Sequence, residues 1–113
     1  MKFEIDKQPS YTVVSATEDK LNALNAPDLK AVFVQLNRDN VNNIILDLTA
    51  TNYCDSSGLS SILTANRLCK DTNGKFILSG LQPNVLKMIQ IAQLDRVLAI
   101  EDTLPDAKSS LNG

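Results

Sequence analysis

Asp55-Ser56-Ser57-Gly58 sets a carboxylate and two hydroxyls side by side, directly before a residue with no side chain. Short side-chain oxygens of this kind can accept hydrogen bonds from the backbone N–H groups that a helix start leaves unpaired, so the run reads first as N-cap chemistry. Asp55 suits a cap and turn former, and Ser56 is expected to turn toward the backbone. Ser57 keeps two readings, a further cap or a functional hydroxyl. Gly58 likewise has a steric and a functional reading, since it leaves room for another surface to approach the Ser57 hydroxyl. Catalysis by that hydroxyl would need a base, and the chain contains no histidine. Ser-His and Cys-His arrangements are therefore excluded, and without a Gly-x-Ser-x-Gly pattern no local signal supports a serine nucleophile.

Composition narrows the function further. Eleven basic and thirteen acidic residues among 113 give a net charge of −2, which offers no electrostatic footprint for nucleic acid or an anionic membrane. Cys54 and Cys69 lie fifteen positions apart with no histidine to complete a zinc site. Cys69 reads as a small core residue. Cys54 sits in the turn beside the serines, where a redox role stays open. The length suits one domain, residues 1–113, with no apolar run long enough for a membrane span or a signal peptide, so a cytoplasmic location is expected. No cofactor or metal is implied.

The elements that must position the serine turn follow from periodicity. Lys2–Asp6 alternates Phe3 and Ile5 with polar neighbours, and Tyr11–Ala16 resumes extended character after Pro9, which predicts an antiparallel hairpin. A polar stretch, Glu18–Ala26, leads to Pro27 in the first turn of a helix whose stripe is Leu29, Val32, Phe33 and Leu36. Ile44, Ile45, Leu46 and Leu48 make the nearly continuous apolar run of a strand covered on both faces. After the serine turn, a second helix directs Leu59, Ile62, Leu63 and Cys69 inward and ends near Asn73-Gly74, a left-handed cap signal. A strand over Phe76–Leu78, a helix from Pro83 with Val85, Ile89 and Ala92 inward, a strand over Val97–Ile100 and a short helix with Leu104, Ala107 and Leu111 complete the chain. Leu94 is expected to close the third helix against the core. The order β-β-α-β-α-β-α-β-α predicts an α/β fold, a single-layer mixed and mostly parallel sheet packed with helices.

Asp55-Ser56-Ser57-Gly58-Leu59, after a strand ending Leu46-Asp47-Leu48, resembles the signature of the STAS domain, specifically the anti-sigma factor antagonists of bacterial partner switching. The resemblance extends through Leu21-Asn22, Ala26 and Leu29 before and within the first helix, and through Pro83, Val85 and Leu94. Asn22 stands where many members carry aspartate, and Ser60 where a glycine often follows Gly-Leu. By this resemblance Ser57 is the phosphoacceptor, and Asp55, Ser56, Gly58, Leu59 and Asn22 belong to the partner-facing surface. The implied partner is an anti-sigma factor with a histidine-kinase-like ATPase fold, which binds the unphosphorylated chain and uses its own Mg-ATP to phosphorylate Ser57. A protein serine phosphatase would reset the switch. The chain itself would be a monomer and a substrate, not an enzyme.

Two rivals remain on sequence grounds. Asp47 near the end of a central strand suggests a phosphoaspartate receiver, but a receiver needs an acidic cluster after its first strand and a lysine after its last, and here the last strand runs into Ile100-Glu101-Asp102. The other is a STAS domain that serves as a constitutive interaction module or transporter-associated subunit, with Ser57 never phosphorylated.

Overall fold

The structure, a computed structural model, describes residues 3–112. Lys2, the first residue of the expected hairpin, lies outside the described residues. β1 (Phe3–Lys7) pairs antiparallel with β2 (Thr12–Ala16), and β3 (Lys20–Leu21) follows in the loop before α1 (Ala26–Arg38). Then come β4 (Ile44–Asp47), β5 (Tyr53–Cys54), α2 (Ser56–Asp71), β6 (Phe76–Ser79), α3 (Pro83–Ile91), a short 3-10 turn (Leu94–Arg96), β7 (Ala99–Glu101) and α4 (Leu104–Asn112). The main sheet has the order β1-β2-β4-β6-β7, parallel throughout except for the β1–β2 pair. The predicted mixed, mostly parallel architecture is the one observed.

Register explains why the central strands carry unbroken apolar runs. Val14, Leu46, Leu78 and Ile100 stand side by side across β2, β4, β6 and β7. On that face they pack with Leu29, Phe33 and Leu36 of α1, Ile62 and Cys69 of α2, and Val85 and Ile89 of α3. The opposite face, Val13, Ile45 and Ile77, is covered by Ala107 of α4 with Leu104 and Leu111 beside it. A strand buried on both sides cannot alternate polar and apolar residues.

Three local expectations are corrected. The expected element order has no strand within Glu18–Ala26 or in the serine turn, yet β3 pairs in parallel with β5 to form a second, two-stranded sheet, Lys20 opposite Tyr53 and Leu21 opposite Cys54. α3 stops at Ile91, so Ala92 is exposed instead of facing inward; Gln93 takes a left-handed conformation (φ 61°) that turns the chain into the 3-10 segment. The last strand consequently begins at Ala99, and Val97 is exposed. Leu94 does pack against the core. At the end of α2 the left-handed residue is Asn73 (φ 62°), and Gly74 is required for another reason: a Cβ there would lie 1.7 Å from the Asn42 carbonyl oxygen.

Candidate functional site

The start of α2 is held by the small second sheet. Leu21 is fully buried, and its carbonyl oxygen accepts a hydrogen bond from the Asp55 N–H at 3.0 Å. Asp55, in an extended conformation, is the N-cap; its Oδ1 accepts from the Gly58 N–H at 3.0 Å and its carbonyl oxygen from the Leu59 N–H at 3.0 Å. Gly58 is buried against the same sheet. A Cβ on it would lie 2.5 Å from Cys54 Sγ, 2.7 Å from the Leu21 carbonyl oxygen and 3.0 Å from Leu21 Cγ. The missing side chain is thus what lets the helix start sit directly on β3 and β5, a steric demand of the chain on itself. Ser61 completes the turn by donating from its hydroxyl to the Gly58 carbonyl oxygen at 2.7 Å.

With Asp55 capping and Gly58 facing inward, Ser57 is turned outward. Its side chain is half-buried and engages in no hydrogen bond among the described residues. Ser56 is exposed and, contrary to expectation, is not tied to the backbone; Asp55 alone supplies the side-chain cap. Leu59 is half-buried and packs against the main core. As the first two residues of α2, Ser56 and Ser57 have backbone N–H groups with no acceptor within the helix, and these define its positive end.

The loop from β3 to α1 is built by two asparagines. Asn22 Oδ1 accepts from the Leu24 N–H at 3.0 Å, while Asn25 Oδ1 accepts from the Asn22 N–H at 2.8 Å and Asn25 Nδ2 donates to the Lys20 carbonyl oxygen at 2.7 Å. Asn22 uses only its acceptor oxygen, a duty that an aspartate would perform equally well, so its departure from the family pattern leaves the loop geometry intact. Asn25 uses both ends of its amide and is buried.

Between the starts of α1 and α2 lies an open cleft of about 420 Å³, lined by Pro27 and Lys30 on one side and by Ser56, Ser57, Ser60 and Ser61 on the other. Lys30 is the one charged residue of this lining. Leu24, on the loop between β3 and α1, is 84% exposed, and Tyr53, two residues before the cap, is 45% exposed. Sequence reasoning missed all three. Leu24 carried a signal, a large apolar residue in an asparagine-rich loop, and Lys30 falls on the helical stripe of Ala26 and Pro27.

Neither thiol is placed for redox chemistry. Cys54 is fully buried in β5 and not in the turn; burial, and secondarily the Asp55 carboxylate, push its pKa up to about 12. Burial pushes Cys69 up to about 11. Asp47, the residue of the receiver reading, accepts hydrogen bonds from the Thr49 N–H and hydroxyl, and no cluster of three potential metal ligands occurs among the described residues. No helix among the described residues is long and apolar enough to cross a membrane.

The fold has known counterparts. The crystal structure of a candidate anti-sigma factor antagonist from Thermotoga maritima superposes with a TM-score of 0.88 at 26% identity, covering 98% of this chain and 95% of that one. The Bacillus cell fate determinant SpoIIAA in its phosphorylated form has the same fold, with a TM-score of 0.75 at 20% identity over 96% of this chain and 97% of that one. In sequence, BtrV of Bordetella bronchiseptica, named as a candidate anti-sigma factor antagonist, is 25% identical over 92 residues, 81% of this chain and 78% of its own length. The family model for the STAS domain matches residues 2–107, and by that match the chain belongs to the STAS domain family.

Proposed function

We propose that this protein is an anti-sigma factor antagonist whose binding is switched off by phosphorylation of Ser57. The observation that carries the reading is the Ser57 hydroxyl itself, outward-facing and free of intramolecular hydrogen bonds on a helix start pinned from beneath by Asp55 and Gly58. A residue so held is accessible to a kinase without local unfolding. The Ser57 oxygen takes the γ-phosphoryl group of ATP, gives up its proton, and leaves ADP. The names of the relatives support the partner class, an anti-sigma factor. A histidine-kinase-like ATPase fold in that partner, which would act as the serine kinase, and a protein serine phosphatase that resets the switch, come from the family resemblance. The chain then acts as a cytoplasmic monomer, a binder and substrate with no catalysis of its own.

The proposed contact face comprises Ser56 and Ser57, which line the cleft, with Asn22 and the exposed Leu24 on the neighbouring loop between β3 and α1, and the exposed Tyr53 before the cap. Asp55, Gly58 and Leu59 contribute by fixing where the helix starts. Phosphate adds roughly −1.5 to −2 charge at the helix's positive end, which the fold tolerates, but a partner packed on the Ser57 hydroxyl would have to desolvate a bulky dianion. The test is capture of co-encoded anti-sigma ATPases by the wild type, Ser57→Ala and Ser57→Asp, with mass mapping of phosphate. Binding by the wild type and Ser57→Ala and its loss in Ser57→Asp, roughly thirtyfold or more, is expected from about 2 kcal/mol or more of uncompensated charge. Equal capture by all three, with Ser57 unmodified by every ATPase, would replace the switch with a constitutive interaction module.

A further inference from the structure

Phosphorylation has to leave the fold intact, and the cleft beside Ser57 indicates how this chain accommodates the charge. We infer that Lys30 is the counter-cation of phosphorylated Ser57, drawing the phosphoryl group into the cleft between the starts of α1 and α2; the inference rests on the reading of Ser57 as phosphoacceptor. Lys30 and Ser57 line opposite sides of the same cleft, and Lys30 carries the only charge in that lining. Its side chain is exposed and makes no ion pair among the described residues, so its ammonium need not abandon another partner. Its neighbours in that lining on α1, Ala26 and Pro27, are uncharged and carry no side-chain donor that would compete for an anion.

The other charges around the site sharpen the assignment. Asp55 lies two residues before Ser57 and would repel the phosphate, but its Oδ1 is engaged by the Gly58 N–H. Asp28, on the first turn of α1, and Lys20, on β3, are not part of the cleft lining. The hydroxyl of Ser60, one helical turn after Ser57, lines the cleft as well and can donate to a phosphate oxygen. An ammonium and a hydroxyl on the lining of one cleft, beside the unpaired N–H groups of the helix start, are the donors a dianion there would draw on.

The experiment installs phosphoserine at position 57 by genetic encoding, so that no kinase is needed, and follows the second phosphate ionisation by 31P NMR, near pH 6 for a free phosphoserine. Lys30→Gln is expected to raise that pKa by about half a unit relative to the phosphorylated wild type, as a partly exposed opposite charge would dictate. Lys30→Arg should keep the low value, and Lys87→Gln, a loss of charge on α3, should leave it unchanged. A shift in Lys30→Gln below about 0.2 units, or an equal shift in Lys87→Gln, would overturn the assignment. Because the phosphate is installed, the outcome stands apart from the switch itself: failure of any kinase to modify Ser57 would remove the proposed function without altering the titration.

Discussion

Replacing Gly58 by alanine should destabilise the protein, although alanine is the better helix former by about 1 kcal/mol in a helix interior. The added methyl carbon would arrive 2.7 Å from the Leu21 carbonyl oxygen and 2.5 Å from Cys54 Sγ. Neither neighbour can yield freely. The Leu21 oxygen already accepts the Asp55 N–H that anchors the helix start, and Cys54 is fully buried in the strand paired to β3. Overpacking of this kind costs about 1–3 kcal/mol, and contact with a pinned backbone atom belongs at the upper end. Less the propensity gain, a net loss of about 2 kcal/mol is expected, which for a chain of this length corresponds to a fall in Tm of about 8 °C. Urea and thermal unfolding followed by circular dichroism would measure it. A Gly58→Ala protein as stable as the wild type, or more so, would refute the steric argument and return Gly58 to the partner-contact reading. The double variant with Cys54→Ala removes the sulfur contact but not the carbonyl one, and should recover only part of the packing strain, seen as coupling in a double-mutant cycle.

Loss of the Asp55 cap in Asp55→Ala should cost about 1 kcal/mol, read as a lowered urea midpoint, whereas Asp55→Asn keeps an acceptor oxygen and should lose only a fraction of that. Asn25→Asp removes the amide that donates to the Lys20 carbonyl oxygen and should destabilise the buried loop by about 1–3 kcal/mol in the same assay, while Asn22→Asp should be close to neutral. The two thiols should resist iodoacetamide in the folded protein near pH 8 and react on unfolding. Their pKa values, about 12 for Cys54 and about 11 for Cys69 against 9.0 for an ordinary thiol, are raised on folding. Their contribution to stability is therefore full below pH 9 and is lost as pH rises toward those values, by about 1 kcal/mol per thiol at one unit above 9. Comparing urea midpoints across that range for the wild type and a Cys54→Ala, Cys69→Ala variant isolates this dependence; equal slopes in the two would contradict it.

The main sheet was legible in the residues because its causes are local or periodic. Ile44, Ile45, Leu46 and Leu48 read as a doubly covered strand, Phe76–Leu78 as a short strand, and Leu29, Phe33 and Leu36 as a buried helical stripe, since burial imposes a period on the chain whatever packs against it. Pro27 and Pro83 marked helix starts for a reason internal to proline, its missing N–H. Asp55 as a cap was equally legible, because the cap and the N–H it accepts lie three residues apart. The pairing of β3 with β5 was not. Two-residue strands have no period to detect, and their partners are more than thirty positions apart.

By itself, then, the amino-acid order determined the parallel α/β frame, the helix beginning at the serines and the family motif, all of which depend on short-range chemistry and repeated burial. Only the tertiary structure decided which parts of that motif face solvent. Gly58 was as consistent with a partner's approach as with the chain's own crowding until Leu21 and Cys54, distant and adjacent in sequence, were brought beneath it. Lys30 was one more exposed lysine until two helix starts met across a cleft with Ser57 on its far wall. Both outcomes turn on distances between segments that share no local pattern, and such distances exist only once the core has folded.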